Sequence, residues 1–175
     1  MKDTKIHVSK YLDLFIEGQK KNKGRQPDER YASFDFCYSY FHSFYNKKRV
    51  SELAGEKNMQ MSCLQLGFYL ASWGVMRGSG FLLEKSARNL MPVIEFIADS
   101  DRRLWEIDVD SYDEESIRIL LNYKQELATK FGKEDPSDTL ITKIMLGVFA
   151  NVPALDKYVS RSIGAYSFNK TYLDR

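Results

Sequence analysis

The chain is poor in the residues that most often announce a chemistry. Its 175 residues include 2 cysteines, 2 histidines and 4 prolines. Cys37 and Cys63 both lie inside apolar runs, where a free thiol behaves as a small buried hydrophobe, so no disulfide framework is expected and a reducing, cytoplasmic setting fits. His7 and His42 are far apart, and Cys37 precedes His42 by five positions, so zinc-ligand spacing is missing. No metal and no cofactor are expected. The longest apolar stretch, Cys63 to Met76, is interrupted by Gln65, Gly67, Ser72 and Gly74 and falls short of the ~20 residues of a bilayer span. The N-terminal MKDTKIHVSKYLDLF lacks the apolar core and cleavage site of a secretory signal. No membrane association is expected. Charge of one sign is also missing: the formal net charge is +2, which excludes a chain-wide polybasic nucleic-acid binder but leaves room for a local phosphate-binding patch. Phosphate-loop, GxGxxG, HExxH and GxSxG patterns are absent.

Apolar side chains in helical register fill most of the sequence. With 43% hydrophobic and 14% aromatic residues the chain supports one core, and a chain of this length buries about 70% of its unfolded surface. Spacing is of the three-four kind nearly throughout, with no alternating strands joined by a hairpin turn, which predicts an all-α single domain over 1–175, of about seven helices around a central apolar helix. The first is expected over Ser9–Lys21 and the second from Asp28–Ser33 to Asn46, carrying Phe34, Cys37, Tyr38, Phe41, Phe44 and Tyr45. The third, about Asn58 to Met76, is apolar round most of its circumference and is expected near the centre. Pro92 either opens or kinks the fourth. Ser111 with Glu114 forms a capping-box pattern for the fifth, which continues to Gly132. Ser137 or Asp138 caps the sixth, which ends at Asn151. Pro153 is expected in the first turn of the last helix, with Leu155, Tyr158, Val159 and Ile163 inward, ahead of a tail whose Tyr166, Phe168 and Tyr172 dock on the body.

Charge is unevenly spread. Residues 1–50 hold 11 basic and 6 acidic side chains, residues 95–140 hold 6 and 13, and residues 141–175 hold 5 and 2. A positive patch forms if the two basic ends meet on one face.

Two segments stand out from the helical background. In Ser72-Trp73-Gly74-Val75-Met76-Arg77-Gly78-Ser79-Gly80 three glycines and an arginine interrupt the apolar run. Such a turn either caps a helix or presents successive amides as an anion nest with Arg77 beside it, which makes Trp73, Arg77 and Ser79 candidate ligand-binding residues. The second segment runs from Thr142 to Arg161, where Asp156 falls near a helix N-terminus with Lys143 and Arg161 on neighbouring helices. Asp156 is either a local cap or an ionised carboxylate in a groove.

Val152, Pro153, Asp156, Val159 and Arg161 resemble the Val-Pro-x-x-Asp-x-x-Val-x-Arg pattern near the end of the helix-hairpin-helix DNA glycosylase superfamily. The resemblance implies a glycosylase-like fold and a catalytic role for Asp156, stabilising positive charge that develops on a sugar, while some members add a lysine nucleophile on the preceding helix, where Lys143 lies. The Gly-x-Gly hairpin of that superfamily is missing before residue 139, where Gly132-Lys133-Glu134-Asp135-Pro136 stands. Taken whole, the chain is similar to small uncharacterised bacterial proteins that combine a Leu-Ala-Ser-Trp-Gly-x-x-Arg-Gly-Ser motif, here Leu70–Ser79, with a Thr-Lys-Ile-x-x-Gly…Pro-Ala-x-Asp motif, here Thr142–Asp156.

Two functional expectations follow. In one, the chain binds a nucleotide or nucleic acid in a groove lined by Trp73, Arg77, Ser79, Lys143, Asp156 and Arg161, with cleavage of an N-glycosidic bond as the accompanying chemistry. In the other, it is a non-enzymatic module that binds another protein.

Overall fold

The computed structural model describes residues 27–78 and 80–162. Six α-helices and several 3-10 turns make up the regular structure, and no strand occurs among the described residues. The all-α class expected from the spacing is therefore what forms. The expected helix over Ser9–Lys21 and the aromatic tail with Ile163, Tyr166, Phe168 and Tyr172 lie outside the described residues.

Helix α1 spans Ser33–Asn46, and its buried Ser33, Cys37 and Phe41 recur every four residues as one stripe. The Ser33 hydroxyl donates to the Arg30 carbonyl and ties the helix to the 3-10 turn before it. Helix α2 spans Glu56–Ser72 and ends earlier than the apolar run that suggested Met76. Gly74 takes a left-handed φ of 75°, its N–H donates to the Ala71 carbonyl and that of Val75 to Leu70, the double bond of a Schellman cap.

Pro92 opens helix α3, Met91–Ala98, rather than kinking a longer one. Helix α4, Glu114–Thr129, is capped by Asp113, whose carboxylate accepts from the Ser116 N–H, so the expected Ser111 cap is displaced by two residues. Ser111 instead closes its own turn through Asp108. α4 also stops at Thr129, short of Gly132.

Helix α5, Asp138–Phe149, starts at the Ser137 cap and buries nine of its twelve residues. It is the most enclosed of the described helices. α2, expected at the centre, supplies six buried residues but leaves Met61, Leu64 and Phe68 exposed on one face. The two helices touch closely where Gly147 faces the Tyr69 ring: a Cβ there would lie 2.4 Å from Tyr69 Cε1. Ala150 ends α5 in a left-handed conformation at φ 57°.

Helix α6 spans Lys157–Ser162 and begins after Asp156, so Pro153 lies in the connecting loop and not in the helix. Leu155 is buried as expected, whereas Tyr158, expected inward, is exposed. An aromatic cluster completes the core. Trp105 lies parallel to Tyr45 at 5.2 Å and takes the edge of Phe149 at 4.7 Å. Both cysteines are free and buried, and burial pushes both thiols up.

Candidate functional site

The two segments singled out in the sequence are brought together where α5 passes the C-terminal end of α2. Lys143 projects from α5 and donates from Nζ to the Trp73 carbonyl at 2.6 Å, across 70 residues of sequence. That carbonyl belongs to the residue closing α2, so the ammonium sits at the negative end of a helix. Lys143 is only 6% exposed, and a lysine so placed must keep its charge satisfied or release its proton.

Burial holds the Lys143 pKa below its ordinary value; Asp156 opposes that shift, while Arg77 and Arg30 reinforce it. These four side chains therefore share one electrostatic neighbourhood. Three of them are cationic and one is acidic, which leaves a local excess of positive charge. Neither arginine forms a salt bridge with a described residue. The Arg77 guanidinium lies against Gly74, where a Cβ would come within 3.2 Å of Cζ. Glycine at 74 thus serves both the left-handed turn and the seat of Arg77. Arg30 lies over the Tyr31 ring, with Cζ 4.7 Å from its centroid.

Aromatic rings flank the charges. Tyr31 meets Trp73 edge to face at 5.6 Å, and Phe34 and Tyr69 complete the group at 6.2 Å and 5.4 Å from Trp73. Tyr31 is half exposed, and the Trp73 Nε1 is buried without a hydrogen-bond partner among the described residues.

Asp156 caps α6. Its Oδ1 accepts from the N–H groups of Tyr158 and Val159, both at 2.9 Å, so the local capping role is real. Both bonds use one oxygen, and the carboxylate remains partly open to solvent while acting on Lys143. The loop before it is fixed by the Thr142 hydroxyl, which accepts from the Leu155 N–H, and by Thr139, which donates to the Leu155 carbonyl.

Of the expected site residues, Trp73, Arg77, Lys143 and Asp156 are brought together. Ser79 and the Arg161 side chain lie outside the described residues. The anion nest is corrected at its start, because the amides of Gly74 and Val75 close the end of α2 and are not available to a ligand. Arg30 and Tyr31 were missed by sequence reasoning. They sit in a short turn before α1, outside any periodic pattern, and only the packing of that turn against Trp73 marks them.

No group of three or more possible metal ligands occurs among the described residues. No helix among them is long and apolar enough to cross a membrane. Compared with protein-family models, curated proteins and solved structures, the chain finds no match.

Proposed function

We propose that this chain binds a nucleotide or nucleic acid at the Trp73, Arg77, Lys143 and Asp156 cluster. The observation that carries the reading is the place of Lys143, held on the Trp73 carbonyl with Asp156, Arg77 and Arg30 acting on its charge, beside the rings of Tyr31 and Trp73. Phosphate is held by cations and a base stacks on a ring face; Arg77 and Arg30 form no salt bridge with a described residue, and the Tyr31 ring is half exposed. In this reading Arg77 and Arg30 meet phosphate oxygens and Lys143 supplies charge from below. The glycosylase resemblance adds a role for Asp156, whose carboxylate would stabilise oxocarbenium-like charge on a sugar while water attacks.

Fluorescence polarisation of labelled single- and double-stranded DNA and RNA across a salt series tests the proposal. Binding that weakens steeply with salt and falls at least tenfold in Arg77→Ala supports it. Absence of binding at low salt overturns it. The carboxylate is tested separately: Asp156→Asn retains a capping oxygen, so its melting stays near wild type, and base release from the bound nucleic acid disappears if Asp156 is catalytic.

A second reading, a module that binds another protein, is favoured by the exposed α2 face. Met61, Leu64 and Phe68 follow one another at helical spacing, and Phe68 is 68% exposed. Phe68→Glu separates the readings, because it abolishes partner capture while leaving nucleic-acid binding intact.

A further inference from the structure

Helix α2 is apolar round most of its circumference, a pattern that belongs to a helix covered on all sides, yet one of its faces is open. Its buried side holds Cys63, Leu66, Tyr69 and Leu70. On the opposite side Lys57, Met61, Leu64, Phe68 and Ala71 are all exposed and follow one another in alternating steps of four and three, the seam of a helix that packs lengthwise on another helix.

The neighbouring helix widens this face. The Tyr40 and Ser62 hydroxyls lie 2.9 Å apart and the Phe34 ring lies 6.2 Å from that of Tyr69, so α1 runs antiparallel along α2. Phe36, one turn before Tyr40, stands on the same edge of α1 and is 62% exposed. An aromatic side chain carries about 150–250 Å² of surface, so the open parts of Phe36 and Phe68, with those of Met61 and Leu64, present roughly 400 Å². Two copies meeting here cover about 800 Å², and the rim side chains of Lys57, Gln60 and Ala71 bring the total to the ~1,000 Å² of a small specific interface.

The seam is complementary to itself. Antiparallel pairing centred on Leu64 sets Leu64 against the partner's Leu64 and the rigid Phe68 ring against the partner's Met61, whose flexible side chain fills irregular gaps. Lys57 then falls opposite the C-terminal turn of the partner's α2, the negative end of that helix. Parallel pairing instead puts Phe68 on Phe68 and Lys57 on Lys57, like charges across one seam. We propose that the open face of α2 is a homodimer interface, in which two copies of this chain pack α2 on α2 antiparallel about a two-fold axis. The proposal rests on the protein-binding reading above, whose partner it names, and not on nucleic-acid binding.

Sedimentation velocity and light scattering of the full chain over a concentration series test this. The mass should rise from 20.4 kDa towards twice that value, with a dissociation constant on the order of 10 µM for so small an interface. Phe68→Glu sets a charge against apolar side chains and should weaken association at least tenfold, while the dilute chain melts as wild type because the ring it replaces is exposed. Introduced thiols report the register, since Cys37 and Cys63 are buried. Leu64→Cys should oxidise to a linked dimer. Met61→Cys should link to Phe68→Cys when the two variants are mixed and not to itself, because like positions stand about 10 Å apart along the paired helices. A mass of 20.4 kDa at every concentration overturns the proposal and leaves the face to a different protein or to residues 1–26 of the chain. Capture of a different protein, lost in Phe68→Glu, would in that case keep the protein-binding reading. A dimer that survives Phe68→Glu, or one that links Met61→Cys to itself, also overturns the proposal.

Discussion

Gly147→Ala is expected to destabilise the protein, against the usual direction for a helix interior. Alanine in place of glycine inside a helix ordinarily gains about 1 kcal/mol. At position 147 the new Cβ would lie 2.4, 2.8 and 3.0 Å from three carbons of the Tyr69 ring. Carbon atoms rest at roughly 3.5–4.0 Å, so the overlap is about 1 Å against a rigid ring. That ring has nowhere to go. Tyr69 is fully buried, with Trp73 and Phe34 packed beside it. Overpacking of a tight core costs about 1–3 kcal/mol, and this contact belongs at the upper end. Subtracting the helix gain leaves a net loss of about 2 kcal/mol, a fall in Tm of about 4–8 °C for a chain of this size.

Thermal and urea unfolding of three variants decide the matter. Gly67→Ala is the control, since its Cβ would meet Leu90 at 3.4 Å, an ordinary contact, and the variant should melt at or slightly above wild type. Tyr69→Leu placed on Gly147→Ala should recover part of the loss, giving a coupling energy of about 1 kcal/mol or more. Melting of Gly147→Ala at or above wild type would refute the reasoning, as would equal shifts at the two glycines.

Three further expectations concern charge and backbone. Because the Lys143 pKa is lowered from 10.5 in the fold, chiefly by burial, the unfolded chain binds a proton that the native chain has released between the two values. Stability therefore rises with pH through that window, and the rise should shrink in Lys143→Met when melting is followed from neutral to alkaline pH. The pKa of His42, among Tyr38, Tyr45 and Trp105, is lowered from 6.5, first by burial. Stability should fall as pH drops through 6.5 towards 5, and His42→Phe should flatten that slope in denaturant titrations. Ala150 holds a φ of 57° that strains a residue with a Cβ, so Ala150→Gly should raise stability by about 0.5–1 kcal/mol in chemical unfolding, after the entropy of glycine is subtracted. A decrease would show that the Ala150 methyl contributes more than its backbone costs.

Much of this fold is written in local pattern. The period of Ser33, Cys37 and Phe41 places α1 on its own, and Ser137 starts α5 by a side-chain bond that any sequence reading can find. Trp73 and Lys143 were each singled out in the sequence as candidate ligand-binding residues, but the hydrogen bond between them is a product of packing. Other features were set by competition among local signals. Asp113 displaced Ser111 as the α4 cap because a carboxylate directly before the first turn accepts from Ser116, while Ser111 closes a turn with Asp108. Asp156, not Pro153, begins α6 for the same reason.

What the sequence by itself determined is the all-α class, the stripes that face inward and the two segments that carry unusual residues. Tertiary structure decided which helix is enclosed. α2 and α5 are both apolar, but only α5 is covered nearly all round, and hydropathy does not record what stands opposite a face. Tertiary structure also added Arg30 and Tyr31 to the cluster and shaped the apolar cavity between α4 and α5. Hydrophobic periodicity is a property of neighbours three and four residues apart. The field at Lys143 is a sum over charges that lie more than a hundred residues apart in the chain and meet only when the helices pack.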